Sequence, residues 1–378
     1  MSPMVWLVLA LVVLGFAIAW PVSWLLVVVG GRGHGRDSSG APGHVKTLRE
    51  IPNTGGLAIF LAVAGPVAVA LAAVWTFQTQ TWTQMGLGVV VQHLNQIEGT
   101  TPTALAMLAG MAFLHILGLI DDRRSLNPWL KLAVQLAVAL VIVWWFDVRL
   151  LTMLGTGTSI VLTVLWIVVV TNAINFMDNM DGLAAGVSAI AAGLFMAACI
   201  VNEQWFIAAT LALLIGSLVA FLLFNFPPAK IFMGDGGSLV IGFLLAILTV
   251  RTTYYDPTRD DHALGGGVYG LFMPLVVLAI PLYDVCTVSF IRLKQRRSPL
   301  VGDQQHFSHR LVQRGLSQRG AVVVIWSATA VVGIGGIVLG RLEAWQAILV
   351  GVQTALVLVM IALLEYASRR ASARDGVP

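Results

Sequence analysis

Residues 158–183 read TSIVLTVLWIVVVTNAINFMDNMDGL. The stretch 158–176 carries no charged residue. At 1.5 Å of rise per residue it is close to the length needed to cross a bilayer core of about 30 Å as a helix. It then runs straight into Asn172, Asn175, Asp178 and Asp181. Amides and acids beside an apolar span are costly unless they have partners, so the end of this segment reads as a place where a membrane helix meets a polar ligand.

The rest of the chain repeats the pattern. Hydrophobic residues make up 58% of the 378 residues and charged residues 11%, against roughly 25% charged in soluble domains. The mean hydropathy is +0.88. Too little polar surface exists to coat a soluble globule, so the bilayer must solvate most of the protein. The apolar runs are long rather than alternating in polarity, which favours helices over a β-barrel. Eleven spans are predicted, at 4–29, 55–77, 103–120, 126–146, 158–176, 183–201, 205–225, 236–254, 268–291, 320–340 and 345–366. The fold class is therefore all-α, a polytopic integral membrane protein read as one membrane-embedded domain over residues 1–378. No Lys or Arg precedes the first run and no small-residue cleavage site follows it, so it reads as a retained helix. Cys199 and Cys286 lie in apolar runs and read as buried small hydrophobes.

Eleven spans put the two termini on opposite sides. Eighteen of the 22 Lys and Arg residues fall on one set of loops, whereas Arg149, Arg251, Arg259 and Arg341 fall on the other. The first set is expected to be cytoplasmic, with the N-terminus outside and the C-terminus inside. No internal repeat of the transporter kind is found.

Four loops on the basic side also carry acids. Asp121-Asp122 precede Arg123 and Arg124 and form either a solvated, charge-balanced loop or a metal and phosphate site. Asn172, Asn175, Asp178 and Asp181 recur every third residue, which on an α-helix drifts by about 60° per step, so a break is expected near Gly182. Asp235, within Met-Gly-Asp-Gly-Gly-Ser and five residues after Lys230, stands where glycine N–H groups lead into the N-terminus of a span. The loop 292–319 holds Asp303, His306, His309 and Arg310. Two histidines without a third His or Cys suit phosphate or sugar contact better than zinc. Asp284 lies inside the ninth span, about 12 Å from its boundary, and is the one acid placed as a transporter would place it. Carboxylates among Lys, Arg and His at a membrane surface suit a magnesium-bound pyrophosphate.

At these residues the chain resembles the polyprenyl-phosphate N-acetylhexosamine-1-phosphate transferase superfamily, also called glycosyltransferase family 4. The matching features are Asp121-Asp122 with Pro128, Lys131 and Gln135; residues 172–183; residues 228–238; Pro281 to Asp284; and Ser298-Pro299 with residues 303–311. They occur in the family's order over about 52–319. The likeness is closest to the undecaprenyl-phosphate N-acetylglucosamine-1-phosphate transferase branch. Ser308 stands where the family's His-x-His-His pattern has its middle histidine, and Gln304 where many members have arginine. Residues 52–56, Pro-Asn-Thr-Gly-Gly, fit the family's Pro-x-x-Gly-Gly motif loosely.

The resemblance implies an Mg-dependent phosphoglycosyl transferase of the plasma (inner) membrane with a cytoplasmic active site. It would move a sugar 1-phosphate from a UDP-sugar to polyprenyl (undecaprenyl) phosphate and release UMP. It implies Asp121, Asp122 and Asp235 as catalytic and metal-binding residues for Mg2+, with Mn2+ as the alternative ion. Lys131, Asn172, Asn175, Asp178, Asp181, Lys230, Asp303, His306, His309 and Arg310 are expected to bind substrate. No nucleic-acid partner is expected, and a homodimer is allowed for. Two other readings stay open, a phospho-N-acetylmuramoyl-pentapeptide transferase within the family and an ion-coupled or lipid transporter outside it.

Overall fold

The computed structural model describes residues 2–30, 51–146, 148–252, 272–299, 305–339 and 342–374. Among them there is no β-strand. The helices, in chain order, are α1 (Pro3–Gly30), α2 (Gly56–Thr76), the short α3 (Thr79–Gln84) and α4 (Gly88–Val91), α5 (Leu94–Arg123), α6 (Pro128–Trp145), α7 (Thr156–Met177) and α8 (Leu183–Val201). They continue with α9 (Trp205–Asn225), α10 (Asp235–Thr252), α11 (Met273–Val277), α12 (Ala279–Lys294), α13 (Phe307–Val312), α14 (Gln318–Val338) and α15 (Ala344–Arg374). Among the described residues ten helices are long and apolar enough to cross a membrane.

The described part of the expected ninth span is divided at Leu278 into α11 and α12, and residues 268–271 lie outside the described residues. Pro281 lies in the first turn of α12, where its missing N–H leaves the Val277 carbonyl without its helical donor and weakens the helix at this point. Cys286 also departs from expectation, being exposed on α12, whereas Cys199 is buried.

The bundle is organised around α10, in which every residue except Asp235 and Arg251 is buried. A helix buried all round must be approached closely by its neighbours, and small residues allow it. A Cβ on Gly242 would lie 2.7 Å from the Cα of Thr171 in α7. A Cβ on Gly118 of α5 would lie 2.3 Å from the N of Gly236. Large apolar side chains such as Trp6, Trp20, Trp144 and Leu363 instead stand exposed on α1, α6 and α15, as lipid-facing surfaces require.

Local chemistry sets the helix ends that matter. Asn127 caps α6, its Oδ1 accepting from the N–H of Trp129 at 2.9 Å, and Pro128 occupies the first turn, where no N–H is needed. Gly234 precedes α10 with φ +70°, a backbone conformation that glycine adopts without penalty.

Candidate active site

Five helix ends meet at one pole of the bundle. The segment before α2 pairs with the segment before α10: Gly55 N–H donates to Phe232 O at 2.9 Å, Gly56 N–H to Met233 O at 3.0 Å, and Phe232 N–H to Pro52 O at 2.9 Å. This places Asn53 beside the end of α5, where its Nδ2 donates to Asp122 Oδ1 at 3.0 Å.

Asp122 also accepts from the backbone N–H groups of Asp235 at 2.9 Å and Gly236 at 3.2 Å. The anion at the N-terminus of α10 is therefore a side chain of the protein. The expectation that these glycine-flanked N–H groups face a ligand is corrected accordingly.

Asp121 and Asp235 share one cation. Lys131 Nζ donates to Asp121 Oδ2 at 2.8 Å and also bonds Asp235 Oδ2. The remaining Asp121 oxygen accepts from Leu126 N–H at 2.6 Å. The other Asp235 oxygen accepts from Asn175 Nδ2 at 3.0 Å, and that same amide donates to Ser238 Oγ at 2.8 Å. One turn deeper, Asn172 Nδ2 bonds Gln135 Oε1 and Val168 O, tying α7 to α6. His115 backs the site from within α5: its Nδ1 lies 2.8 Å from Gly236 O, so this nitrogen carries the proton.

Two carboxylates thus share one ammonium, and a third, Asp122, is bonded to the backbone beside them, an excess of potential negative charge. Asp121 and Asp235 already converge on a single positive centre with hard oxygen donors, which fits a magnesium ion that takes one or two carboxylates and completes its shell with substrate oxygens. Both oxygens of Asp122 are engaged by N–H donors. No group of three or more His, Cys, Asp or Glu suited to holding a metal occurs among the described residues. Asp121 and Asp235 are the pair that could hold such an ion.

The other expected residues divide. Asp178 is half-buried at the end of α7. Asp181 Oδ2 accepts from Ala229 N–H at 2.9 Å and holds the loop before α10. Lys230 is exposed in that loop and His309 is half-buried on α13. Asp303, like Gln304, lies outside the described residues.

His306 is buried, its Nδ1 2.8 Å from Asp284 Oδ2 and its Nε2 3.4 Å from Arg292 Nη2. A guanidinium can only donate, so Nε2 accepts and Nδ1–H donates to Asp284. Asp284 Oδ1 takes the N–H of Phe307 at 2.6 Å, so this buried acid ties two elements together. Phe176, the neighbour of Asn175, lies edge-on to His306 with ring centroids 5.5 Å apart, and the Arg292 guanidinium sits 5.3 Å from the Phe176 centroid. The end of α7 thereby joins the carboxylate site to the His306 cluster.

Arg310 differs from expectation. It is buried, and its donors are taken by Glu365, Gln305 O and Thr287, so it links helices. Ser308, at the position of the family's middle histidine, donates to Asn179 Oδ1 at 2.5 Å. His115 and Glu365 were not singled out from sequence, and Asn53 and Ser238 entered only as members of the motifs at 52–56 and 228–238. Each has a side-chain or backbone partner far along the chain.

Residues 104–253 match the family model described as glycosyl transferase family 4. The chain is 32% identical over 310 residues to a probable undecaprenyl-phosphate N-acetylglucosaminyl 1-phosphate transferase of Bacillus subtilis, covering 79% of this chain and 76% of the relative. It is 32% identical over 306 residues to the decaprenyl-phosphate N-acetylglucosaminephosphotransferase of Mycobacterium tuberculosis, covering 75% of this chain and 71% of that protein. Similarity to the phospho-N-acetylmuramoyl-pentapeptide-transferase of Lactobacillus helveticus is 37% over 153 residues, spanning 36% of this chain and 48% of the relative.

Proposed function

The chain belongs to glycosyl transferase family 4, and from that premise we propose that it transfers N-acetylglucosamine 1-phosphate from UDP-N-acetylglucosamine to a polyprenyl phosphate. The observation that carries the reading is the convergence of Asp121 and Asp235 on Lys131 at the start of the buried helix α10.

An oxygen of the lipid phosphate attacks the β-phosphorus of the UDP-sugar. The bond from that phosphorus to the oxygen bridging it to the α-phosphorus breaks, and UMP leaves with the electron pair. The product is the polyprenyl-diphosphate-linked sugar. A phosphate monoester has its second pKa near 6, so the nucleophile is already largely dianionic near neutrality. Alignment and charge neutralisation therefore matter more than a general base. A single displacement follows, without an aspartyl intermediate.

Asp121 and Asp235 would hold magnesium, which when bound neutralises charge on the pyrophosphate. Lys131 supplies a fixed positive charge beside the same oxygens. Asn175 orients Asp235 from α7, and Asp122 fixes the backbone on which Asp235 stands. We assign Asn172, Asp178 and Asp181 to the uridine side and His306 and His309 to the phosphosugar side, with Asp181 acting through the loop it holds.

The bias of Lys and Arg toward one set of loops supports a cytoplasmic site in the plasma membrane, an outer N-terminus and an inner C-terminus. The broad coverage of the N-acetylglucosamine phosphotransferases, against the partial match to the muramoyl-pentapeptide enzyme, favours N-acetylglucosamine. The partnering of Asp284 by His306 and Phe307 favours a structural acid over an ion-pathway acid, and with it an enzyme over a transporter.

The test is purified protein with magnesium, undecaprenyl phosphate and a panel of UDP-sugars. UMP is expected with UDP-N-acetylglucosamine. UMP from the muramoyl-pentapeptide donor alone would move the protein to that activity, and no UMP from any donor would overturn the enzyme reading.

A further inference from the structure

The C-terminal helix α15 is attached in an unusual way. Of its described side chains only Ala347 and Ile361 among the apolar residues are buried, so most of the helix faces outward. Near its inner end, however, Glu365 gathers three donors. Its carboxylate takes a two-pronged contact from Arg310, with Nε at 2.8 Å and Nη2 at 3.2 Å, and a third bond from the Tyr283 hydroxyl at 2.9 Å. Arg314 Nη2 adds a bond to the Glu365 backbone carbonyl at 2.6 Å.

These partners flank the Asp284–His306 pair. Tyr283 is the residue before Asp284. Arg310 also donates to the carbonyl of Gln305, the residue before His306. The Tyr283 ring further meets Phe307, the residue after His306, edge-on at 5.8 Å. One carboxylate thus grips the chain on both sides of a buried hydrogen bond. A two-pronged guanidinium contact fixes direction as well as distance, so a shift of Glu365 would be transmitted to both partners.

We infer that Glu365 is a positioning residue of the transfer reaction, holding through Tyr283 and Arg310 the orientation of the Asp284–His306 pair. It lies beyond the residues matched by the family model, which end at 253. The inference rests on the proposed reaction for its kinetic consequence and on the geometry alone for its structural one.

Removing one partner of a buried ion pair destabilises a protein whatever its role, whereas replacing both by apolar groups of similar size is often neutral. The decisive variant is therefore Arg310→Met with Glu365→Leu in the full chain, reconstituted in lipid, beside Glu365→Ala. Two quantities are read: lipid-dependent UMP release, split into kcat and KM for UDP-N-acetylglucosamine, and the imidazole nitrogen resonances of His306, assigned with a His306→Gln control. The double variant is expected to stay folded while kcat falls about tenfold to a hundredfold, the scale of misplacement at a reacting centre, with the His306 resonances displaced. Wild-type kcat in the folded double variant, or unchanged His306 resonances, overturns the inference. If the double variant does not fold, the same two readings on Glu365→Gln, which keeps one acceptor oxygen for Tyr283, decide it. If the wild type itself releases no UMP, the reaction proposal falls, and the resonances alone decide the positioning role.

Discussion

The carboxylate of Asp122 sits on the first turn of α10 and accepts the backbone N–H of Asp235 at 2.9 Å. Two acids that the sequence places 113 residues apart are thus joined through a main-chain group, and one sets the position of the other. Asp122→Ala is expected to lower stability by about 1 kcal/mol, the usual worth of a helix cap, and to lower kcat because Asp235 loses its anchor. Asp122→Asn keeps one acceptor oxygen and should retain more of both. Thermal unfolding and UMP release measure the pair. Equal activity in Asp122→Ala and wild type would remove Asp122 from the site.

Lys131 holds the position between Asp121 and Asp235 that a divalent ion would share. Lys131→Met leaves those carboxylates without their common cation. Addition of magnesium should then raise the melting temperature more in the variant than in the wild type, while UMP release falls. A smaller thermal response in Lys131→Met would show that the two carboxylates do not bind the ion.

Asn175 donates to Asp235 Oδ1 through its amide. Asn175→Asp replaces that donor by a third carboxylate facing Asp235 and should reduce kcat about tenfold or more, further than Asn175→Ala does. Steady-state kinetics of the two variants at saturating UDP-sugar test the order, and a less active alanine variant would reverse the argument.

Gly118 is the point where α5 passes the start of α10. A Cβ there would lie 2.3 Å from Gly236 N and 2.4 Å from Asp235 C, both main-chain atoms that cannot swing aside. Gly118→Ala should cost about 1–3 kcal/mol and impair catalysis as well. Gly65→Ala, where nothing lies within 4 Å, serves as the control and should be close to neutral.

His115 donates from Nδ1 to Gly236 O, so Gly236 is held at its carbonyl by His115 and at its N–H by Asp122. His115→Asn keeps a donor near the same place, and His115→Leu does not. Retention of kcat should follow that order in the UMP assay, and equal loss in both would assign His115 to packing alone.

Much of this site can be read in the sequence because charge is scarce. Asp121, Lys131 and Asp235 stand out as ionisable residues at the margins of apolar runs, and they do meet. Their partners are less visible. Asn53 is an unremarkable loop amide until the pairing of residues 52–56 with residues 232–233 carries it to Asp122. Glu365 looks like one more charge at the end of a final helix. Its role depends on contacts across 55 and 82 residues, which no local periodicity reveals. The ninth span shows a different limit. Continuous hydropathy suggests one helix through residues 268–291, and the described part of it is divided at Leu278 into α11 and α12. Arg310 illustrates a third, since a basic residue on a basic loop reads as an anion ligand, and only its burial against Glu365 reveals its structural use.

The most direct test of the proposed reaction is UMP release from UDP-N-acetylglucosamine by the purified chain with magnesium, with and without undecaprenyl phosphate. UMP should form only when the lipid is present, in step with a lipid product heavier by one N-acetylglucosamine phosphate. UMP or a phosphosugar-modified protein formed without lipid would contradict the single displacement, and no UMP under either condition would contradict the reaction itself.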